Sequence, residues 1–105
     1  MAEFVAVGNV NDFQEGVVKT FIISGEMIAV IQVDGQFYAI NNICSHEYAE
    51  LHDGELDTED CTLECPLHGS KFSLQNGEPL TPPAAMPIAT YPVQIVGDEI
   101  QVAVS

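Results

Sequence analysis

The sequence predicts an all-β fold of several small antiparallel sheets, and three observations support that prediction. First, runs of β-branched and aromatic residues alternate with turn dipeptides through the N-terminal half. Second, prolines interrupt the stretch from Pro79 to Pro87 and exclude a helix there. Third, two further β-rich runs flank Gly97-Asp98 near the end of the chain. The length of 105 residues suits one domain, residues 1–105.

The N-terminal half is predicted to form an antiparallel meander. Asp34-Gly35 separates its last two strands, and this dipeptide favours two-residue hairpins because both central positions need positive φ. Alternation along the last strand places Phe37 and Ala39 on one face and Tyr38 and Ile40 on the other. The predicted strands are Glu3–Val7, Val17–Ser24, Met27–Val33 and Gln36–Asn41.

Strand signals become short after Ile43, and Gly, Pro, Asp and Glu punctuate the chain as far as Pro83. This pattern of short strands and frequent turn residues predicts a subdomain of approximately residues 43–83 that is inserted into a β-sheet base. A short strand, a small hairpin at Asn76-Gly77 and a closing hairpin are expected in the second half. The predicted strands are Cys61–Glu64, Phe72–Leu74, Ile88–Val96 and Glu99–Val104.

The charge balance excludes several classes of partner. Sixteen acidic residues face only Lys19 and Lys71, and the formal charge is −14. Such a chain is not expected to bind nucleic acid or an anionic membrane surface, because both need cationic contacts. No apolar run is long enough to span a bilayer, and the N-terminus lacks the pattern of a signal peptide. Three cysteines are too few for a disulfide scaffold and suggest a reducing, cytoplasmic setting.

Two short motifs carry the candidate chemistry. Cys44-Ser45-His46 and Cys65-Pro66-Leu67-His68 each pair a thiolate donor with an imidazole donor. Four such ligands fit either a tetrahedral zinc ion or a Rieske-type cluster, in which one iron takes both thiolates and the other takes both imidazoles. On spacing alone, both alternatives remain open.

The residues around these motifs resemble the Rieske family. Cys65-Pro66-Leu67-His68-Gly69-Ser70-Lys71-Phe72 is similar to the second cluster loop of that family, and Cys44-Ser45-His46 is similar to the first. The upstream DGQFYAINNIC and the downstream NGEPLTPPAAMPIATYPVQIVGDEIQV, which contains a proline-rich covering loop, extend the resemblance over nearly the whole chain.

The resemblance implies one 2Fe-2S cluster bound by Cys44, His46, Cys65 and His68. It also implies a soluble, monomeric ferredoxin rather than an enzyme. Such a protein passes one electron from a flavin-containing reductase to a terminal oxygenase, which commonly hydroxylates an aromatic compound. His46 and His68 would then form the electron exit route.

Departures from one branch of the family bear on the reduction potential. Rieske proteins of cytochrome bc-type complexes join their loops by a disulfide, but this chain has Ala49 and Leu67 at the corresponding positions. Ser70 matches a serine that donates to a cluster sulfide, whereas Phe72 stands in place of a hydroxyl-bearing tyrosine. Fewer donors predict a potential toward the low end of the Rieske range of roughly −150 to +300 mV.

Other features have competing interpretations. His52 is expected to be exposed and solvated, and Cys61 to be a buried structural thiol. The acidic stretch over residues 47–60 is either a docking surface for a basic partner or an ordinary solvated connection. The alternative functions are an electron-transfer subunit of another enzyme, such as an assimilatory nitrite reductase, and a zinc-binding interaction module. A domain taken from a larger oxygenase is less favoured.

Overall fold

The computed structural model describes residues 3–45, 48–82, 84 and 86–103. Within these residues the chain forms three antiparallel sheets, with strand orders β1-β10-β9, β2-β3-β4-β8 and β5-β6-β7, and two 3₁₀ turns at Val10–Asp12 and Leu51–Asp53. The predicted all-β class with several small sheets is confirmed. The strands are β1 Phe4–Asn9, β2 Val18–Ile23, β3 Glu26–Val33, β4 Gln36–Asn41, β5 Leu56–Asp57, β6 Thr62–Glu64, β7 Lys71–Ser73, β8 Thr90–Tyr91, β9 Val93–Val96 and β10 Glu99–Ala103.

The hairpin between β3 and β4 has the predicted turn. Val33 pairs with Gln36, and the two residues between them, Asp34 and Gly35, have φ values of 52° and 75°. The Glu15 carboxylate closes this turn, because it accepts hydrogen bonds from the main-chain N–H groups of Asp34 at 2.5 Å and of Gly35 at 3.2 Å. The turn is therefore fixed both by its own residue types and by a residue from outside the hairpin.

The first strand does not belong to the meander, and that part of the prediction is wrong. β1 pairs instead with the last strand, with Phe4 opposite Ala103. Asn9 ends β1 and caps the following 3₁₀ turn, where its side chain accepts from the Asn11 N–H at 3.0 Å. The Val10 N–H then donates to Asp98 O, which ties this turn to the C-terminal hairpin rather than to β2.

The predicted strand Ile88–Val96 is divided into two by Pro92. β8 pairs with β4 in the larger sheet, whereas β9 pairs with β10 in the first sheet. Proline has no N–H to contribute to a ladder, so the strand is interrupted at this residue. The closing hairpin of β9 and β10 is confirmed, with Gly97 at a φ of 63° in its turn.

The third sheet lies entirely between residues 43 and 83. Its central strand β6 begins one residue later than predicted. β7 leads into the Asn76-Gly77 turn, and the chain that returns from this turn bridges to Phe72 through Pro79. The two-residue strand β5 lies in the acidic stretch and was not predicted. Its two residues pair with Leu63 and Thr62.

Two clusters of buried side chains fill the interior. Phe37 and Ala39 belong to the cluster beneath the first sheet, and Tyr38 and Ile40 belong to the other, as the alternation predicts. The cluster that contains Ile40 is the larger buried cluster, and it joins the four-stranded sheet to the third sheet. Among the described residues, no helical segment could span a lipid bilayer. The buried members of the larger buried cluster are Ala29, Ile31, Val33, Ile40, Cys44, Ala49, Leu51, Leu63, Cys65, Phe72, Leu74, Ala84 and Ile88.

Candidate metal centre

The second Cys/His loop is a tight turn between β6 and β7. Its two ends are joined because the Cys65 N–H donates to Ser70 O at 2.8 Å and the Gly69 N–H donates to Cys65 O at 3.0 Å. Gly69 has a φ of 75°, which other residue types rarely adopt. The turn brings the Cys65 Sγ to 3.4 Å from the His68 Nδ1.

The first Cys/His loop is closed at its base by a short ladder. The Leu51 N–H donates to Asn42 O at 2.7 Å, and the Cys44 N–H donates to Ala49 O at 2.9 Å. Ile43 forms an antiparallel bridge with Glu50 between these two bonds. His46, the remaining predicted ligand, lies outside the described residues.

Three of the four predicted ligands converge. The Sγ atoms of Cys44 and Cys65 and a ring nitrogen of His68 all lie within 4.8 Å of one another. Both cysteines are buried, and His68 is half-buried. No disulfide joins the cysteines of the chain, all of which are among the described residues. Two buried thiols and an imidazole at this separation fit the donor set of a metal centre.

The surroundings of Cys65 favour its thiolate form. Burial opposes ionisation, but the main-chain N–H groups of His68 and Leu67 donate to its sulfur, with further contributions from the side chains of His68 and Cys44. The balance sets the pKa of Cys65 below its ordinary value. Because the thiolate is the form that binds metal, the turn favours ligation.

Three hydroxyl groups connect the ligand loops to the proline-rich segment of residues 79–87. Ser45 Oγ donates to Met86 O at 2.5 Å. Thr81 Oγ1 accepts from the Lys71 N–H at 2.8 Å, and Ser70 Oγ accepts from the Ala84 N–H at 3.0 Å. Accepting this bond does not use the hydroxyl hydrogen of Ser70, which is fully buried. The segment therefore borders both loops from a third side, although Pro83 and Ala85 within it are not described.

Each of the three segments around the ligands carries one large apolar side chain that is exposed. Tyr48 on the first loop, Leu67 on the second loop and Met86 on the proline-rich segment are each exposed by about two thirds, at 67%, 69% and 66%. We call these three residues the apolar rim. All three side chains are solvated rather than part of the core.

The acidic stretch is solvent-facing where it is described. Glu47 lies outside the described residues. Asp57 is half-buried, and its carboxylate accepts from the main-chain N–H groups of Glu59 and Asp60 at 3.0 and 3.1 Å, so one carboxylate of the stretch has a structural task. The exposed carboxylates are Asp53, Glu55, Glu59 and Asp60.

His52 is not the solvated residue that was expected, and this expectation is wrong. Its side chain is only 32% exposed, and its Nδ1 lies 2.7 Å from the Nδ2 of Asn42, a fully buried residue. The Asn41-Asn42 pair stands immediately before the first loop in the sequence. The sequence does not indicate which residue the Asn42 side chain contacts. Ser45, Thr81 and Met86 were likewise missed, because their roles depend on contacts across 10 or more residues.

Cys61 lies apart from the ligands. It is half-buried and packs against the larger buried cluster, whereas a buried thiol was expected. Burial raises the pKa of its thiol, and the Tyr38 hydroxyl is hydrogen-bonded to it. Among the described residues, the groups that could hold a metal ion do not include Cys61.

Comparisons with known proteins agree on the family. The model of the Rieske [2Fe-2S] domain matches residues 3–92. The 3-phenylpropionate/cinnamic acid dioxygenase ferredoxin subunit of Escherichia coli is 47% identical over 74 residues, which are 70% of this chain and 69% of that protein. This relative is the ferredoxin subunit of a dioxygenase.

Solved structures extend the likeness to the fold. The ferredoxin of carbazole 1,9a-dioxygenase from Nocardioides aromaticivorans is similar with a TM-score of 0.92 and 35% identity, over 95% of this chain and 96% of that one. A ferredoxin in a complex of reduced oxygenase and oxidized ferredoxin of carbazole 1,9a-dioxygenase has a TM-score of 0.88 and 34% identity, over 95% and 92% of the two chains.

Proposed function

Because this chain belongs to the Rieske [2Fe-2S] domain family, we propose that Cys44, His46, Cys65 and His68 hold one 2Fe-2S cluster and that the protein is a one-electron carrier. The observation that carries this proposal is the convergence of the Cys44 and Cys65 sulfurs with a His68 nitrogen within 4.8 Å. When bound, the cluster accepts and releases a single electron. We also assign residues 43–83 to a cluster-binding subdomain of a single domain, since the third sheet contains no strand from elsewhere.

The two cysteines and His68 have different roles in the proposed site. Cys44 and Cys65 supply buried thiolates, and the N–H groups around Cys65 stabilise negative charge on its sulfur. His68 is half-buried, whereas both cysteines have less than 5% of their surface exposed. Of the three described candidate ligands, His68 is therefore the nearest to solvent, and we assign electron exchange to the imidazole side of the site.

We propose a flavin-containing reductase as the electron donor and a terminal oxygenase that hydroxylates an aromatic compound as the acceptor. The named relatives are ferredoxin subunits of dioxygenases that act on such compounds, and one related ferredoxin forms a complex with its oxygenase. The apolar rim offers both partners a contact surface next to His68. A monomer in the cytoplasm fits this shuttle role and fits three cysteines without a disulfide.

Visible absorption and electron paramagnetic resonance of the reduced protein test the cofactor. A Rieske cluster gives a coloured protein with a paramagnetic reduced state, whereas a zinc module is colourless and gives no such signal. Cys44→Ser and Cys65→Ser should each abolish the spectrum. Cys61→Ser is the matched control and should leave the spectrum intact, because Cys61 is not one of the residues whose ligand atoms converge at the site. Loss of the spectrum in the control would contradict the assignment.

Reconstitution tests the role. The protein should transfer electrons from a flavin-containing reductase to an aromatic-ring dioxygenase, and substrate turnover should stop when the protein is omitted. Leu67→Ser replaces an exposed side chain of the rim and keeps the main-chain N–H that donates to the Cys65 sulfur, so it should slow transfer while the spectrum stays unchanged. Normal reduction by the reductase with no transfer to any oxygenase would refute the proposed acceptor.

A further inference from the structure

Asn42 has every polar group engaged just before the first ligand loop. Its side chain is fully buried, and its main chain donates to Met27 O and accepts from the Leu51 N–H. Its Oδ1 accepts from the main-chain N–H of His52 at 2.9 Å, and its Nδ2 lies 2.7 Å from the His52 Nδ1. A second contact of Nδ2, at 3.2 Å, is to the Met27 sulfur.

These contacts fix the tautomer of His52. The Asn42 side-chain oxygen accepts from the main-chain N–H of His52, so the Asn42 Nδ2 faces the His52 ring and acts as a donor to it. The ring nitrogen Nδ1 must therefore accept, and in the neutral ring the proton belongs on Nε2. Nε2 lies 3.3 Å from the Asp53 Oδ1, which can accept that proton in a hydrogen bond.

The pair sits at the base of the loop that carries Cys44. The Leu51 N–H to Asn42 O bond forms the last rung of the ladder, and the Cys44 N–H to Ala49 O bond lies two residues further in. A change in the Asn42–His52 pair therefore acts directly on the segment that positions Cys44. Asn42 and His52 are not ligands, and their influence on the site passes through this ladder.

A proton on Nδ1 would place two donors against each other. The bond to Asn42 would be lost, and the buried Nδ2 of Asn42 would keep only its contact with the Met27 sulfur, which is a weak acceptor. The nearby carboxylates oppose this effect, because Glu50 Oε1 lies 3.8 Å from Nδ1 and Asp53 lies next to Nε2. Strands β2 and β6 pack against this 3₁₀ turn, and the charged residues of these two strands are Lys19 and Glu64. Glu64 forms no ion pair with the ring among the described residues, and the Lys19 Nζ lies over the Phe13 ring.

We propose that Asn42 and His52 are a positioning pair for the first ligand loop, and that protonation of His52 opens the base of this loop. The inference rests on the proposed function, since it assumes that Cys44 binds the cluster. Histidine is the side chain that ordinarily changes charge between pH 5 and 8. The device would make the hold on the cluster weaker in acid than at neutral pH.

The test measures two quantities on the cluster-containing protein between pH 5.5 and 7.5. The first is the rate at which a chelator removes iron from the oxidised protein, followed by visible absorption. The second is the hydrogen-exchange protection of the peptide that contains Leu51 and His52, followed by mass spectrometry. In the native protein we expect iron loss to be about five- to tenfold faster at the lower pH, and protection to fall by a similar factor, which is the effect of one lost hydrogen bond.

His52→Asn separates this proposal from general acid lability. Asparagine can place an acceptor near the Nδ1 position but does not titrate, so iron loss and protection should become insensitive to pH in this range. His52→Ala removes the acceptor and should lose iron quickly at both pH values. Asn11→Ala, an exposed substitution in the other 3₁₀ turn, is the control and should behave as the native protein does.

Two outcomes would overturn the proposal. The first is an acid response in His52→Asn equal to that of the native protein, which would place the response at the ligands themselves. The second is a pH-dependent change in protection without any change in iron loss, which would show that the pair closes the loop but does not position Cys44. Exchange is measurable even on protein without a cluster, so failure of the cofactor assignment would be seen separately, in the absence of the spectrum.

Discussion

Replacing Ser70 with alanine tests whether this hydroxyl acts on the metal centre or only on the fold. Ser70 is fully buried, and its Oγ accepts a hydrogen bond from the Ala84 N–H at 3.0 Å. The substitution removes this acceptor and also the hydroxyl hydrogen, which the family resemblance assigns to a cluster sulfide. A loss of stability and a loss of reduction potential are therefore both expected, from two different atoms of one group.

The loss of stability follows from the Ala84 N–H. Ala84 is only 7% exposed, so water cannot readily replace the lost acceptor. A buried donor left without a partner costs about 1–3 kcal/mol. Urea unfolding of Ser70→Ala should therefore give a free energy of unfolding lower by that amount.

The change in potential follows from the hydroxyl hydrogen. Reduction adds one negative charge to the cluster, so a donated hydrogen bond favours the reduced state. If that preference is about 1–1.5 kcal/mol, its removal lowers a one-electron potential by about 40–65 mV, since a tenfold change in equilibrium corresponds to about 59 mV. Direct voltammetry of the two proteins measures this difference.

Ser73→Ala is the matched control. Ser73 is a half-buried serine on β7, and its Oγ accepts from the Gln75 N–H at 3.2 Å. Its substitution should leave the potential of the protein unchanged. A Ser70→Ala protein that loses stability but keeps the native potential would refute the proposed donation and leave Ser70 a structural residue.

The remaining predictions concern the core, the pH dependence, the charge and the potential. Phe72→Ala should lower the free energy of unfolding by about 3–5 kcal/mol in urea titrations, because Phe72 is fully buried; Phe4→Ala, at 37% exposure, should cost clearly less. Burial raises the pKa of Tyr38 and of Cys61 above their usual pKa values of 10.0 and 9.0, so the folded state favours their protonated forms. The stability that these protonated groups contribute should therefore be lost as pH rises above those values. In thermal unfolding, Cys61→Ser should lose less stability at alkaline pH than the native protein does. Electron transfer to a basic partner should slow as salt is added, given the charge of −14, and a rate independent of salt would exclude electrostatic docking. The midpoint potential should lie toward the low end of the family range of roughly −150 to +300 mV, and a value near the upper end would contradict the argument from Phe72.

Local chemistry made much of the fold predictable. Asp34-Gly35 specified its hairpin because few other residue pairs accept two positive φ values in succession. The alternation of Phe37, Tyr38, Ala39 and Ile40 specified which faces they occupy, since a strand places successive side chains on opposite sides. These predictions needed no knowledge of the rest of the chain.

The pairing between strands that are distant in the sequence was harder to predict. β1 joins β10 across almost the whole chain, and no pattern within Phe4–Asn9 identifies that partner. Pro92 could have been recognised as the end of a strand, because it has no N–H, but the change of sheet at that residue depends on the positions of β4 and β10.

The same distinction applies to the metal centre. Cys44, Cys65 and His68 were identified because two Cys/His pairs follow one another along the chain and because the residues around them resemble the Rieske family. The structure brings these three residues together. The roles of Ser45 and His52 depend on single contacts with Met86 and Asn42, which no local pattern encodes. A serine or a histidine in a polar stretch is otherwise indistinguishable from a solvated residue.

The two Cys/His loops are held together without the disulfide that joins them in the cytochrome bc branch of the family. Ala49 and Leu67 occupy the two corresponding positions in this chain. Ala49 is buried at 5% exposure and packs into the core, whereas Leu67 is 69% exposed and belongs to the apolar rim. Two hydrogen bonds hold the loops and the proline-rich segment together instead: Ser45 Oγ donates to Met86 O, and the Lys71 N–H donates to Thr81 Oγ1. Each contributes only about 1 kcal/mol. Because no covalent bond ties the loops to each other, the buried cluster beneath them and the metal ligands must supply the remaining restraint. One consequence is that Leu67, at a position spared from cross-linking, can contribute its whole side chain to contact with a partner.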